Sequence, residues 1–86
     1  MNKETVDRII AESGAVLPEH IRFSAKSNCV VAVNEGYVIA RTWRTEPRGS
    51  DAYIDWDRSY GQPAEEMIEV LKALIAVRDA IQGGSL

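Results

Sequence analysis

One cysteine and one histidine are all the thiol and imidazole that this 86-residue chain contains. Cys29 has no internal partner for a disulfide, and with His20 as the single histidine no closed nitrogen and sulfur metal site can be assembled. A histidine-based triad would need both residues to converge with an acid from separate elements, and nothing in their spacing asks for that. Followed by Val30 and Val31, Cys29 reads as a small buried hydrophobe. Long apolar runs are missing too. Lys72 and Arg78 interrupt the best candidate well short of the ~20 residues a bilayer requires, so no membrane contact is expected. The N-terminus lacks the order of basic, apolar and small residues that marks a signal peptide, which together with the lone thiol makes a reducing cytoplasm the expected setting. Gly49-Ser50 and Gly83-Gly84 lack the strand-to-helix pattern and the lysine of a phosphate loop.

Basic charge is in deficit as well, with ten Lys and Arg against thirteen Asp and Glu and a formal net charge of -3. Much of that excess lies in residues 63–86, which hold four acidic and two basic groups. Affinity for a nucleic-acid backbone comes largely from counterions released by basic side chains, so direct nucleic-acid binding is not expected. No cofactor, metal or catalytic constellation is visible, and the chain is expected not to be an enzyme.

What is present has the balance of a folded protein, 45% apolar and 27% charged. The length suits a single small domain over residues 1–82 followed by a flexible tail at 83–86. Such a domain hides only about 60–65% of its unfolded surface, which makes self-association a natural supplement.

Local signals predict the elements in order. Asn2 can cap a short helix in which Val6, Ile9 and Ile10 share a side, and Gly14 ends it before Pro18. From Ile21 the period changes to two, with Ile21, Phe23 and Ala25 alternating against Arg22, Ser24 and Lys26. Further strands are expected at Cys29 to Val33, Tyr37 to Thr45 and Ala52 to Asp57. A three-residue loop, Asn34-Glu35-Gly36, joins the first two of these, and a longer loop from Glu46 to Asp51 joins the last two. Residues 64–82, entered through Pro63, form a long helix with Glu65, Glu66 and Glu69 near its positive end.

Symmetric pairing about those loops sets Val33 opposite Tyr37, Val31 opposite Ile39, Trp43 opposite Ile54 and Arg41 opposite Trp56. Arg44 then faces Tyr53 and Thr42 faces Asp55. One sheet face collects Val31, Val33, Tyr37, Ile39, Trp43, Ile54 and Trp56, and by weight of apolar area it is expected to be the core face. The other carries Val30, Ala32, Val38, Ala40, Arg44, Tyr53, Asp55 and Asp57. On the long helix, Met67, Ile68, Val70, Leu71, Leu74, Ile75, Val77 and Ile81 fill an arc of about 180°, wider than the ~100° that one packing surface needs. Val70 and Val77, at one edge of that arc, are therefore candidates for a homodimer contact or for packing on the first helix. Arg41, between tryptophans, and Arg78, inside the arc, are expected to snorkel at an edge.

The fold that follows is α+β: a short N-terminal helix, an antiparallel meander of three or four strands, and a long C-terminal helix packed on one face of the sheet. Function is argued from one biased segment. Five of the six aromatic residues fall between Tyr37 and Tyr60, interleaved with Arg41, Arg44, Arg48 and Arg58 and with Asp51, Asp55 and Asp57. Tyrosine and arginine anchor protein interfaces because they bring large area and fixed hydrogen-bond geometry at modest entropy cost. Arg44, Glu46, Arg48, Tyr53, Asp55, Asp57 and Tyr60 are the candidate partner-binding residues. The expectation is a non-enzymatic protein-binding module, a small inhibitor or regulator occluding a site on a larger partner whose surface is basic. Phage-encoded defence inhibitors, anti-CRISPR proteins among them, and bacterial immunity proteins share this general profile, which is an analogy of class. Two alternatives stand beside it. One is a small-molecule-binding or hydrolytic domain with Asp55, Asp57 and Arg41 in a pocket between the sheet and the C-terminal helix. Asp55 and Asp57, two apart on a strand and ~7 Å from each other, would be its acid pair, although a solvated strand edge that discourages aggregation is the favoured account of them. The other is a structural dimerisation unit.

Overall fold

The computed structural model describes residues 2–26, 29–44, 50–55, 59 and 61–83, with Trp43, Arg44 and Ser50 described by backbone alone. Helix α1 (Lys3–Glu12) starts where the Asn2 side chain accepts the Thr5 N–H at 3.1 Å, leaving one orphan donor fewer at the helix end. Val6 and Ile10, one turn apart, are its buried residues. The Ser13 hydroxyl donates to the Ile10 carbonyl at 2.6 Å, and Gly14 follows with φ +79°, a conformation that costs glycine little.

Four antiparallel strands follow in spatial order β1 (Arg22–Ala25), β2 (Val30–Asn34), β3 (Tyr37–Arg44) and β4 (Ser50–Ile54). The β2–β3 turn is tighter than its composition predicts. Asn34 pairs with Tyr37, leaving a two-residue loop in which Glu35 and Gly36 both have positive φ, 51° and 83°. Such a turn twists with the flanking strands, which is why it displaces the three-residue loop even at the cost of a left-handed glutamate. The register then shifts between Ala32 and Val33, so that Ala32 pairs with Ala40 and Val33 with Val38. Ile39 is the extra residue of this bulge, and both it and Ala40 are buried.

Strand β4 begins at Ser50, two residues before its expected start, because Gly49-Ser50 reads as loop in the sequence while Ser50 already pairs with Arg44. Arg41 therefore faces Tyr53, Thr42 faces Ala52 and Trp43 faces Asp51. The pairing is displaced by three residues from the expected register. An odd displacement exchanges the two faces of one strand relative to its neighbour.

The core face differs accordingly. One row of cross-strand partners, Phe23, Ala32, Ala40 and Ile54, belongs to the interior together with Val30, Ala25 and Ala52. Val30, Ala32 and Ala40, expected outside, are 0% exposed, whereas Tyr37, expected in the core, is 56% exposed. Apolar area is a poor guide here because alanines at Ala32, Ala40 and Ala52 let a helix approach the sheet closely, and larger residues would not. Thr42 is buried in the same layer, its Oγ1 accepting the Val30 N–H at 3.0 Å.

Helix α2 (Ala64–Gln82) matches the expected bounds and touches β4, β3 and β2, while α1 touches α2 and β1. Its buried residues are Met67, Val70, Ala73, Leu74 and Val77, which join Val6, Ile10, Val30, Ile39 and Ala40 in one cluster. Val70 and Val77 are 0% exposed, so the homodimer contact expected there has no surface to use. They stand at the centre of the buried stripe, which extends past them to Ala73. The surplus of the apolar arc lies at its opposite edge, where Ile68 is 61% exposed. A long-range tie fixes the α1–β1 connection on this helix: the Val16 N–H donates to Glu69 Oε1 at 2.8 Å, with Lys72 at 3.2 Å from the same carboxylate. These donors, Val16 first and Lys72 second, hold the Glu69 carboxyl below its ordinary value. Among the described residues no helix is long and apolar enough to cross a membrane.

Candidate functional site

Both helices share one cluster with one side of the sheet, and the other side carries a second row of cross-strand partners: Ser24, Val31, Arg41 and Tyr53. Four strands thus deliver this row, one residue each, and the alternation of the strands separates it from the core row beside it. Val31 is only 5% exposed within it, and Tyr53 is 38% exposed. Arg41 and Tyr53 form a pair across β3 and β4. The Arg41 Nε donates to the Tyr53 hydroxyl, and the guanidinium carbon lies 5.3 Å from the centre of the Tyr53 ring. A cation over an aromatic face adds about 0.5–1 kcal/mol at an exposed site, enough to favour one arrangement of two otherwise mobile side chains. Arg41 is therefore half-buried on the sheet face away from the helices, not between tryptophans on the core face as its expected register implied. Arg78 sits at the margin of its helix, 30% exposed, with its guanidinium 3.1 Å from Asp79.

Next to this pair is a shallow polar depression of about 260 Å³ lined by Gly36, Tyr37, Val38, Arg41 and Asp55. Asp55 is held there because its backbone N–H donates to the Ile39 carbonyl at 2.8 Å, which carries the β3–β4 register one residue beyond β4. Two features thus bring Arg41, Tyr53 and Asp55 to one area: the displaced pairing of β4 and the bulge at Ile39. Of the expected partner-binding residues, Tyr53 and Asp55 are in this area. Arg44 occupies β3 opposite Ser50, its side chain outside the described set. Glu46, Arg48, Asp57 and Tyr60 lie outside the described residues, as does Trp56. Arg41 is the member that residue spacing missed. Its signal was the aromatic and arginine bias itself, and the wrong register hid it.

A second concavity, of about 520 Å³, lies on the helix side, lined by Ile54, Ser59, Gly61, Gln62, Ala64, Met67, Ile68 and Leu71. It continues along α2 as a shallower groove of about 300 Å³ past Ile68, Leu71, Lys72 and Ile75. Arg41 and Asp55 line the depression on the face away from the helices and not this groove. The polar trio envisaged for a ligand pocket under the helix is therefore not gathered there, and Asp57 lies outside the described residues.

Cys29 is buried at 7% exposure. His20 Nε2 lies 3.4 Å from Gln62 Oε1 on the surface. Among the described residues no three His, Cys, Asp or Glu side chains cluster closely enough to hold a metal ion. No protein-family model, curated protein or solved structure matches the chain.

Proposed function

We propose that the chain is a non-enzymatic protein-binding module, a small inhibitor or regulator that uses the sheet face away from the helices, around Arg41 and Tyr53, to occlude a site on a larger partner. The observation that carries this reading is the Arg41–Tyr53 pair, a guanidinium and a phenol ordered against each other on a rigid sheet with no core role. Interface anchors gain most when their rotamers are already restricted, because less entropy is lost on docking. Tyr37 and Asp55 border the same area and add an aromatic and an anionic group. Net acidity suits a basic target, one that normally holds nucleic acid included. The analogy with phage-encoded defence inhibitors and immunity proteins is one of size, charge and architecture.

The test compares wild-type protein with the Arg41→Ala/Tyr53→Ala double variant as baits in the native host lysate. A partner captured by the wild type should be retained at least tenfold less by the variant, with the melting temperature of the variant little changed. Equal capture of the same partner by both baits would refute the assignment of this face.

A further inference from the structure

Strand β4 is the last strand of the sheet, and among the described residues nothing pairs with its far side. Which of its backbone groups face outward follows from one hydrogen bond. Asp55 donates to Ile39, and partners in an antiparallel ladder alternate, so the backbone groups of Asp51 and Tyr53 and the Asp55 N–H point toward β3, while the Asp55 carbonyl accepts the Ser59 N–H at 2.9 Å. Ala52 and Ile54 direct theirs away from the sheet. The same two residues turn their side chains to the helix side, where Ile54 forms a wall of the 520 Å³ groove with Ile68 and Leu71. α1 lies toward β1, so the uncovered edge of α2 overhangs β4. From Ala64 to Ile75 the groove floor spans about 16 Å at ~1.5 Å per helical residue, the length of about five extended residues. Strand β4 has five residues.

We propose that this edge receives an extended peptide segment of a partner protein in which aliphatic and basic residues alternate. Such a segment adds a fifth strand by bonding to the outward groups of Ala52 and Ile54. Its residues opposite Ala52 and Ile54 share their face and drop into the groove against Ile68 and Leu71, which demands aliphatic side chains. Its intervening residues share the face of Asp51, Tyr53 and Asp55. Asp51 is exposed and the chain is acidic, so lysine or arginine is favoured there over glutamate. A second copy of this chain is disfavoured by the same sign of charge. The inference rests on the protein-binding reading but takes its backbone and aliphatic contacts from the β4 edge and the helix-side groove and not from the Arg41–Tyr53 pair, so each can fail alone.

The probe is a short capped peptide of alternating lysine and valine, titrated into isotopically labelled protein while amide resonances are followed. Shifts are expected at Ala52, Ile54, Ile68 and Leu71. A peptide of the same composition with its lysines and valines in separate blocks, and an alternating glutamate and valine peptide, should each bind about tenfold more weakly or worse. Ile68→Glu and Asp51→Lys should lose affinity to a similar degree, and both positions are exposed enough to keep the fold. Arg41→Ala, one strand in from this edge and outside the groove, should not weaken binding. The proposal is overturned by equal binding of the block peptide, by shifts confined to residues around Arg41 and Tyr37, or by no shifts at millimolar peptide. It is also overturned if the protein alone doubles its mass and Ile68→Glu returns it to a monomer, since a second copy is then the occupant.

Discussion

Truncating the longer side chain on α2 should cost less than truncating the shorter one. Val77→Ala removes two carbons and Ile68→Ala removes three, yet Val77 is 0% exposed and Ile68 is 61% exposed. At about 0.8 kcal/mol per buried carbon, Val77→Ala forfeits about 1.6 kcal/mol of transfer free energy, and the cavity left in a close-packed interior raises the cost to about 2–3 kcal/mol. Ile68 keeps only about two-fifths of its surface from water, so the same arithmetic gives at most about 1 kcal/mol, with no enclosed cavity to add. For a domain of this size a loss of 1 kcal/mol lowers the melting temperature by about 4–8 °C. Urea unfolding followed by far-ultraviolet circular dichroism, with wild type and both variants at two protein concentrations, measures the difference directly. Equal costs, or a larger cost at Ile68, would sink the orientation assigned to α2. A wild-type midpoint that moves with protein concentration, and ceases to move in Ile68→Ala, would show instead that the stripe is covered by another copy.

Two further outcomes follow from buried polar groups and ties. Thr42→Val should destabilise by about 1–2 kcal/mol, because it leaves the Val30 N–H buried without its acceptor, while Thr42→Ser keeps the acceptor and loses only a methyl group; hydrogen exchange at the Val30 amide should quicken in the valine variant alone. Glu69 has a folded value below its ordinary 4.5, so its contribution to stability is complete above that value and disappears as pH falls through the lower folded one. The gap in melting temperature between wild type and Glu69→Gln should therefore be constant from neutral pH down to about 5 and shrink below it; a gap that widens toward acid contradicts the Val16 tie.

Local chemistry was legible where one residue decides the outcome. Asn2 caps α1, Gly36 takes the positive φ, and Ala64–Gln82 is helical because the apolar period persists for five turns between Pro63 and Gly83. Pairing was not legible, because loop length sets it and loops are judged only from composition. Reading Asn34-Glu35-Gly36 as the loop, and Ser50 as part of the next one, was enough to misplace Arg41. The helix arc showed a surplus of apolar surface but not which edge was surplus. Only the position of α1 decides that, and it buries Val70 and Val77 in company with Val6 and Ile10. For the candidate site, the segment was found and its geometry was not: Tyr53 and Asp55 were placed on the side away from the core, while their companion Arg41 was placed on the core face, to snorkel at its edge.

The irregularity at Ile39 bears on how this hairpin can change over time. Pairing on its two sides runs out of step by one residue, so Tyr37 and the Glu35-Gly36 tip keep their orientation only while that extra residue is retained. A single-codon deletion near Ile39 would bring the tip into step with the body of the sheet and invert every side chain beyond it. Insertions or losses of one residue from each arm, matched across the strands, would also invert the tip, whereas matched pairs would lengthen or shorten it harmlessly. Descendants of this chain should therefore differ in hairpin length by whole pleats and rarely by half of one.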